Sequence, residues 1–505
     1  MKLSATTTPQ PTPIAQLIAG LPSLDQVLRE MHRRSFYEFF RYFWPEMEPG
    51  SPYIEAQHAR VVCDHLQAVY EGTIPQLSIE IGPGYGKSLI SAVAFPAWIW
   101  GACFDPGYRL GFSTYADDLT TRDSARCRDL LKSESYQRLY GGHVKLIKER
   151  EDYLRNDRGG YRVALAVKGK ATGWRFNLWV GDDLLNMREA FSEPGKEAMR
   201  LHLRATSTRG QIGKPYYRVV IGQRLHEEDA GGYAREKNFT VLCLPTEYDP
   251  SRHCTTPIFS DWRNERGQLL FPGGFGTDKV AQAKFDLGND YSAQHQQMPI
   301  PADGGIIKGE QIVYYEPTEK PVFSHCFASV DTAQGQNAKN DKTALSMHGV
   351  HQNGISLEDG WTGRKPAPQI IQMLKDFGHK YEPACFVIEQ RDWGKALTQL
   401  LEADHEFRWR IEKYTPVVSK DMRAHEASPL FFRGRYWMPK GTPLSEQATA
   451  QLVVFPAAKD RDLADSIIQA AIYAQATYTF GAVGYSYEGS GTAYDPHDDK
   501  DDDQW

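Results

Sequence analysis

The stretch 78–100, SIEIGPGYGKSLISAVAFPAWIW, restricts what this chain can fold into more than any other. A short apolar run at 77–81 enters a turn made of Gly82, Pro83, Gly84, Tyr85 and Gly86. Lys87 and Ser88 then lead directly into an apolar, helix-like stretch. Strand, glycine-rich loop and helix in that order let backbone N–H groups converge on an anion at the helix N-terminus. In such a P-loop the lysine reaches the β- and γ-phosphates and the hydroxyl beside it holds Mg2+. The usual spacing places a glycine five residues before Gly86; that position is Ile81, so this is a shortened variant beginning at Gly82. A plain tight turn before a helix uses the same residues, and the flanking strand and helix are what favour a nucleotide.

The length of 505 residues predicts two to four domains. The net charge of −6 divides unevenly: the last eleven residues hold six Asp and one Lys, so the body is near −1. Bulk charge therefore does not mark a nucleic-acid binder, and any DNA contact must come from local basic patches. The seven cysteines are scattered without a C-x-x-C pair, which speaks against a structural zinc site or a disulfide framework. With no apolar run of about 18 residues and no signal-peptide core, the expectation is a soluble intracellular protein without a membrane segment. Residues 1–22 read as a flexible leader and 481–505 as an acidic, disordered tail whose charge would repel phosphate.

Helices are expected over 24–43, 53–70 and 115–131, and strands over 108–113 and 163–167. In the helix at 53–70, Gln57 is a candidate adenine reader, though a solvated glutamine reads the same way. Residues 177–186, NLWVGDDLLN, form an apolar strand ending in two carboxylates, about 95 residues after Lys87. This is what a Walker B element needs: Asp182 to hold the metal and Asp183 to orient the water that attacks the γ-phosphate. A strand running into an acidic turn would look alike, but the two motifs together suit a doubly wound nucleotide domain. The strand at 216–222 ends in Gln223, Arg224 and His226, a polar cluster suited to sensing the γ-phosphate or simply to a solvated strand end. Residues 238–321, rich in Gly and Pro, read as a hinge and lid.

A second alternation begins at 325. The run HCFASVDTAQGQ delivers Asp331 at a strand end, Asp341 opens a neighbouring strand, and ACFVIE at 384–389 ends in Glu389. Near the end of the chain, Asp462 and Asp465 share one face of a helix. Acidic residues on a first strand, a later parallel strand and a closing helix make an RNase H-like constellation. Such a cluster holds two Mg2+ or Mn2+ about 3.5–4 Å apart.

Several longer phrases carry a family resemblance: HRRSFYEFFRYFWP, GYGKS followed by FPAWIWG, GDDLLNMREAFSE, QRLHEEDAGGYAREK, DYSAQHQQMPIPADGG, VDTAQG, VIEQRDWG and SKDMRAHEASPLFFRGRYWMP. From about 33 to 478 the sequence resembles the large terminase subunit of tailed bacteriophages. The resemblance implies an α/β chain with an N-terminal ASCE-type P-loop ATPase domain on a mainly parallel sheet (23–237), a lid or linker region (238–321) and a C-terminal RNase H-like nuclease domain (322–480). It implies a packaging motor in which ATP with Mg2+ drives double-stranded DNA through the portal into a procapsid, while a two-metal endonuclease cuts the concatemer. By position, Gly82 to Ser88 with Gln57 and Asp182 bind ATP, with Ser88 and Asp182 on its metal. Asp183 is the catalytic carboxylate, and Gln223, Arg224 and His226 are the coupling segment. Asp331, Glu389 and Asp462 ligate the nuclease metals with Asp341 and Asp465 as supporting or alternative ligands, and Lys420 and Arg423 contact DNA. The implied partners are DNA, the portal, a small terminase subunit and further copies in a ring, with the protein in the host cytoplasm, transiently on the portal and absent from the mature virion. Two features depart from the family. Tyr85 stands where relatives often have a basic residue, which calls for an arginine finger from a neighbouring subunit, with Arg175, Arg204 and Arg209 as candidates. The closing motif Asp-Arg-Asp-Leu-Ala-Asp leaves Asp462 against Asp465 open. A packaging ATPase with a non-catalytic RNase H-like scaffold, or a host-type translocase or helicase, are the other readings.

Overall fold

In a computed structural model of the chain, which describes residues 22–169, 173–299, 305–332, 342–391, 393–456 and 461–481, the strand leading to Gly82 is β1, Gln76–Ile81. All of it but Gln76 is buried, as a parallel strand covered on both faces must be. The same sheet holds β2 (Arg109–Thr114), β3 (Leu146–Arg150), β4 (Tyr153–Asn156), β5 (Tyr161–Ala166), β6 (Leu178–Asp182), β7 (Tyr217–Gly222) and β8 (Thr240–Leu244). Their order is β3-β4-β5-β2-β6-β7-β1-β8. The six strands from β5 to β8 in that order are parallel, and β3 and β4 extend one edge antiparallel. One strand, β7, thus stands between the P-loop strand and the strand ending in Asp182. A two-stranded ribbon, β9 (Thr255–Thr256) and β10 (Phe259–Ser260), follows.

Two local features depart from a simple reading of the sequence. The single helix expected over 24–43 is broken into Leu24–Arg34 and Phe36–Tyr42 at Ser35, which is extended and caps the second helix through its side chain at Glu38 N–H. The helix after the P-loop starts in π geometry over Leu89–Ala94 and continues as α over Phe95–Gly101. Pro96 offers no N–H for the carbonyl of Ala92. The buried Arg162 of β5 supplies the missing donors, with Nε and Nη2 3.3 and 3.2 Å from Ala92 O.

The chain divides into two units. One takes residues up to Lys308 with Pro416–Pro429 and Leu452–Lys459; the other takes Gly309–Thr415, Leu430–Gln451 and the residues from Asp460 on. Residues 238–308, read from sequence as part of a lid region, therefore pack within the first unit. The second unit is built on β11 (Val313–Tyr315), β12 (His325–Asp331), β13 (Thr343–His351), β14 (Gly354–Gly363), β15 (Cys385–Glu389), β16 (Arg410–Tyr414) and β17 (Tyr436–Pro439), in the order β11-β17-β14-β13-β12-β15-β16. β12 pairs antiparallel with β13 and parallel with β15. Strand periodicity sorts its faces. Ala328, Val330, Leu345, Met347, Phe386 and Ile388 form a core with the helices Ala367–Tyr381 and Trp393–Ala403. The alternate residues face the helix Asp462–Thr477: Ser329 Oγ donates to Ser466 O at 2.8 Å, and Cys385 Sγ lies 3.3 Å from the Tyr473 hydroxyl.

Candidate nucleotide and metal sites

In the first unit, Gly84 and Gly86 have φ of 83° and 74°, conformations that side-chain-bearing residues avoid and that turn successive N–H groups inward. Lys87 is buried and its Nζ lies 3.0 Å from Asp183 Oδ2. Burial works against the Lys87 charge, but Asp183 and then Asp182 outweigh it and hold its pKa above the ordinary lysine value. Asp183 adopts φ 43° just beyond β6, and its Oδ1 accepts from the Gln223 N–H at 3.3 Å. One carboxylate thereby joins the P-loop lysine to the first coupling residue. This follows from topology: Ile221 pairs with both Asp182 on β6 and Ile79 on β1, so the end of β7 emerges between the two motifs.

Asp182 is buried, and neither carboxylate oxygen completes a hydrogen bond. Burial, followed by the charge of Asp183, pushes its carboxyl up to about 7, against the pull of Lys87 and the Ser88 hydroxyl. Two buried oxygens that complete no hydrogen bond, with the Ser88 hydroxyl next to them, fit a Mg2+ ion.

Other expected residues have different surroundings. Tyr85 is buried with its ring against His58 at 5.1 Å, and its hydroxyl donates to Thr246 Oγ1 at 2.9 Å. Its side chain anchors the loop. Gln57 is exposed, whereas its neighbour His58 is buried with Nε2 3.2 Å from Tyr85 O. Sequence reasoning missed His58, whose only signal was its place beside Gln57. Arg224 is buried and bound by Asp229 at 2.9 Å, with Glu80 of β1 3.6 Å away; Arg235 also holds Glu80 at 2.6 Å. His226 Nδ1 accepts from Glu228 N–H at 3.0 Å, and burial, then Lys196, lowers its pKa. The side-chain oxygen of Gln223, Oε1, is buried without a hydrogen-bond partner. Among the proposed arginine fingers, Arg175 Nη1 donates to Thr208 O at 2.8 Å and Arg209 Nε to Ala205 O at 3.1 Å, while Arg204 is exposed on the helix Glu193–Ser207. Lys420 opens the helix Lys420–Phe432 half-buried, but Arg423 is only 1 % exposed. Arg423, expected from the resemblance to contact DNA, has a guanidinium that is not at the surface here.

In the second unit, the β12–β15 register (Ala328 with Phe386, Ser329 with Val387, Val330 with Ile388) brings Asp331 level with Glu389. Adjacent strands lie about 4.8 Å apart, and both residues share the parity of those facing the helix Asp462–Thr477. That helix is fixed by Ser466, whose Oγ donates to Ser329 O at 2.9 Å and lies 2.7 Å from Ser346 Oγ. It is fixed also by Gln469, whose Nε2 donates to Val387 O at 2.9 Å and Val330 O at 3.4 Å. Gln469 thus touches both strands just before Asp331 and Glu389. Asp465, fully buried, is one helical turn before Gln469; Asp462, half-buried, is one turn before Ser466, which bonds instead to β12 and β13. Glu389 is 1 % exposed, with Arg391 Nε 3.6 Å from its Oε1. These are oxygen donors of the kind hard divalent ions take. Asp341 lies outside the described residues, and among the described residues no group of three His, Cys, Asp or Glu is assembled closely enough to hold a metal.

Residues 328–473 match the family model described as the terminase RNaseH-like domain. No curated protein matches the chain. Among solved structures, a large terminase from a thermophilic bacteriophage, in complex with ADP, is 12% identical, covering 81% of this chain and 96% of that one with a TM-score of 0.43. The large terminase of bacteriophage HK97 is 11% identical, covering 88% and 99% with a TM-score of 0.38. The large terminase nuclease of thermophilic phage G20c with bound magnesium is 14% identical, covering 34% and 98% with a TM-score of 0.27. Residues 328–473, which include Asp331, Glu389, Asp462 and Asp465, are thus similar to the terminase RNase H-like domain, in agreement with the resemblance of the sequence to large terminase subunits.

Proposed function

We propose that the chain is the motor and nuclease subunit of a viral DNA-packaging machine. The observation that carries this reading is the β12–β15 register, which brings Asp331 level with Glu389 on a sheet similar to that of terminase nucleases, in a chain whose Lys87 and Asp182–Asp183 lie on either side of β7. In the ATPase unit the glycine loop and Lys87 would bind the β- and γ-phosphates, and Ser88 and Asp182 would hold Mg2+, which supplies charge neutralisation on the phosphate oxygens. Lys87 is already paired with Asp183. Binding of the triphosphate therefore has to draw Lys87 away and leave the Asp183 carboxylate to orient and deprotonate water. Because Gln223 N–H rests on that same carboxylate, exchange of its partner is felt at the start of the coupling segment. Gln223, with its unpartnered Oε1, takes the sensing role, and Arg224 stabilises the segment from beneath.

In the nuclease unit Asp331, Glu389 and a helix carboxylate would hold divalent ions, which activate water and stabilise the leaving oxygen. The docking of Gln469 favours Asp465 over Asp462 for the third position, with Asp341 as a further ligand. The substrate is double-stranded DNA; the portal, a small subunit and further copies of this chain in a ring are the partners, in the host cytoplasm, and the mature virion lacks the chain. An arginine from the neighbouring subunit completes the ATPase site; Arg175 and Arg204 are the exposed candidates, and Arg175 already donates to Thr208 O.

The test is ATP hydrolysis with different activators. Stimulation by portal-bearing procapsids with double-stranded DNA is expected. Stimulation by single strands accompanied by strand separation would favour a helicase instead.

A further inference from the structure

The phrase DYSAQHQQMPIPADGG is unused by the sites above, yet its turn at 294–297 lies between the P-loop and the coupling segment. On one side it abuts the start of the loop: a Cβ added at Gly82 would come within 3.2 Å of Gln294 O and 3.3 Å of His295 Nδ1. His295 Nδ1 is also 3.2 Å from Thr246 Oγ1, the group that accepts the Tyr85 hydroxyl. On the other side Gln297, 1 % exposed, accepts the Arg224 N–H through Oε1 at 3.0 Å while its Nε2 donates to Gln294 O at 2.6 Å. Arg252 fixes the turn from behind, with Nη1 2.6 Å from Gln296 O and Nη2 3.0 Å from Gln297 O. Gln297 holds φ at 55°, a conformation that costs a non-glycine residue about 1 kcal/mol and persists where surrounding contacts impose it.

We propose that Gln297 is a positioning residue that ties the coupling segment to the P-loop, so that occupancy of the loop sets the position of Arg224 and, through it, of Gln223. The side chain does this with two bonds of opposite polarity, one to the coupling backbone and one to the carbonyl that abuts Gly82. The inference rests on the ATPase reading given above.

Gln297→Gly is the informative substitution, because glycine accepts a φ of 55° and the turn keeps its backbone when the side chain is removed. The expected result is an unchanged KM for ATP with kcat for DNA-stimulated hydrolysis lowered about 5- to 10-fold, the scale set by loss of a buried hydrogen bond. Hydrogen exchange with a non-hydrolysable ATP analogue and Mg2+ provides a second readout. In the unmodified chain, peptides covering 223–226 and 294–297 gain protection together; in Gln297→Gly the P-loop peptide still does and 223–226 does not. A variant with kcat within twofold of the unmodified chain overturns the proposal. So does protection at 223–226 in the unmodified chain without change at 294–297, a result that needs no variant. An unmodified chain that fails to bind or hydrolyse ATP contradicts the ATPase reading itself, before any substitution is made.

Discussion

Asp182 and Asp183 are sequence neighbours with opposite surroundings, one buried without a donor and the other paired with Lys87. The Asp182 carboxyl is raised from 3.8 to about 7, so between those values the folded chain holds a proton there that the unfolded chain has lost. Its contribution to stability falls as pH rises through that window and stays low above it. Asp182→Asn is therefore expected to raise the melting temperature of the nucleotide-free protein at pH 8, by about 2–4 °C per kcal/mol relieved, and to abolish Mg2+-dependent nucleotide binding. In the unmodified chain Mg·ATP affinity should rise from pH 6 to pH 8 as the ligand ionises; titration calorimetry at both values checks this. Asp183→Asn frees Lys87, so ATP should bind several-fold tighter while hydrolysis falls by about 100-fold or more. Equal loss of binding and turnover would contradict the ion-pair account. Both aspartates were legible in the sequence because a strand followed by carboxylates is a local pattern. The Lys87–Asp183 pair was not, since it depends on a left-handed backbone at 183. Burial of Arg423 was equally hidden, because spacing cannot say which helix face meets a core.

At the scale of elements, the helix Asp462–Thr477 carries the nuclease argument. Ser466 and Gln469 hold it across β12, β13 and β15 through buried polar bonds, which specify one docking position where an apolar face would slide. Gln469→Leu leaves the two strand carbonyls without their donor and is expected to cost about 1–3 kcal/mol. It should also reduce the further rise in melting temperature on adding Mn2+, because Asp331, Glu389 and Asp465 lose their common reference. An unaltered Mn2+ increment in a folded Gln469→Leu protein would detach the helix from the metal site. Strands β1, β6, β7, β12 and β15 were readable from apolar runs ending in chemically distinctive residues. The break at Ser35 was missed because apolar spacing continues across it, and only its capping bond reveals the second helix start. Residues 238–308 read as a lid because Gly and Pro obscure periodicity. Their packing rests on pairs far apart in sequence, such as Tyr85 with Thr246 and Arg224 with Gln297.

For the whole molecule, the claim is that two chemistries reside in two units of one chain, each with its own carboxylates. The seven cysteines are free thiols, and no helix among the described residues is long and apolar enough to cross a membrane. Motif order along the chain predicts two successive chemistries, the nucleotide residues first and the second carboxylate set after 325. The return of Pro416–Pro429 and Leu452–Lys459 to the first unit was invisible, because a chain that leaves a unit and comes back carries no local mark. The most direct measurement follows ATP hydrolysis and Mn2+-dependent linearisation of supercoiled plasmid in parallel for the unmodified chain, Lys87→Ala and Asp331→Ala. The account predicts that Lys87→Ala loses hydrolysis and still cuts, while Asp331→Ala loses cutting and still hydrolyses ATP. Plasmid cut by Asp331→Ala as fast as by the unmodified chain would contradict it.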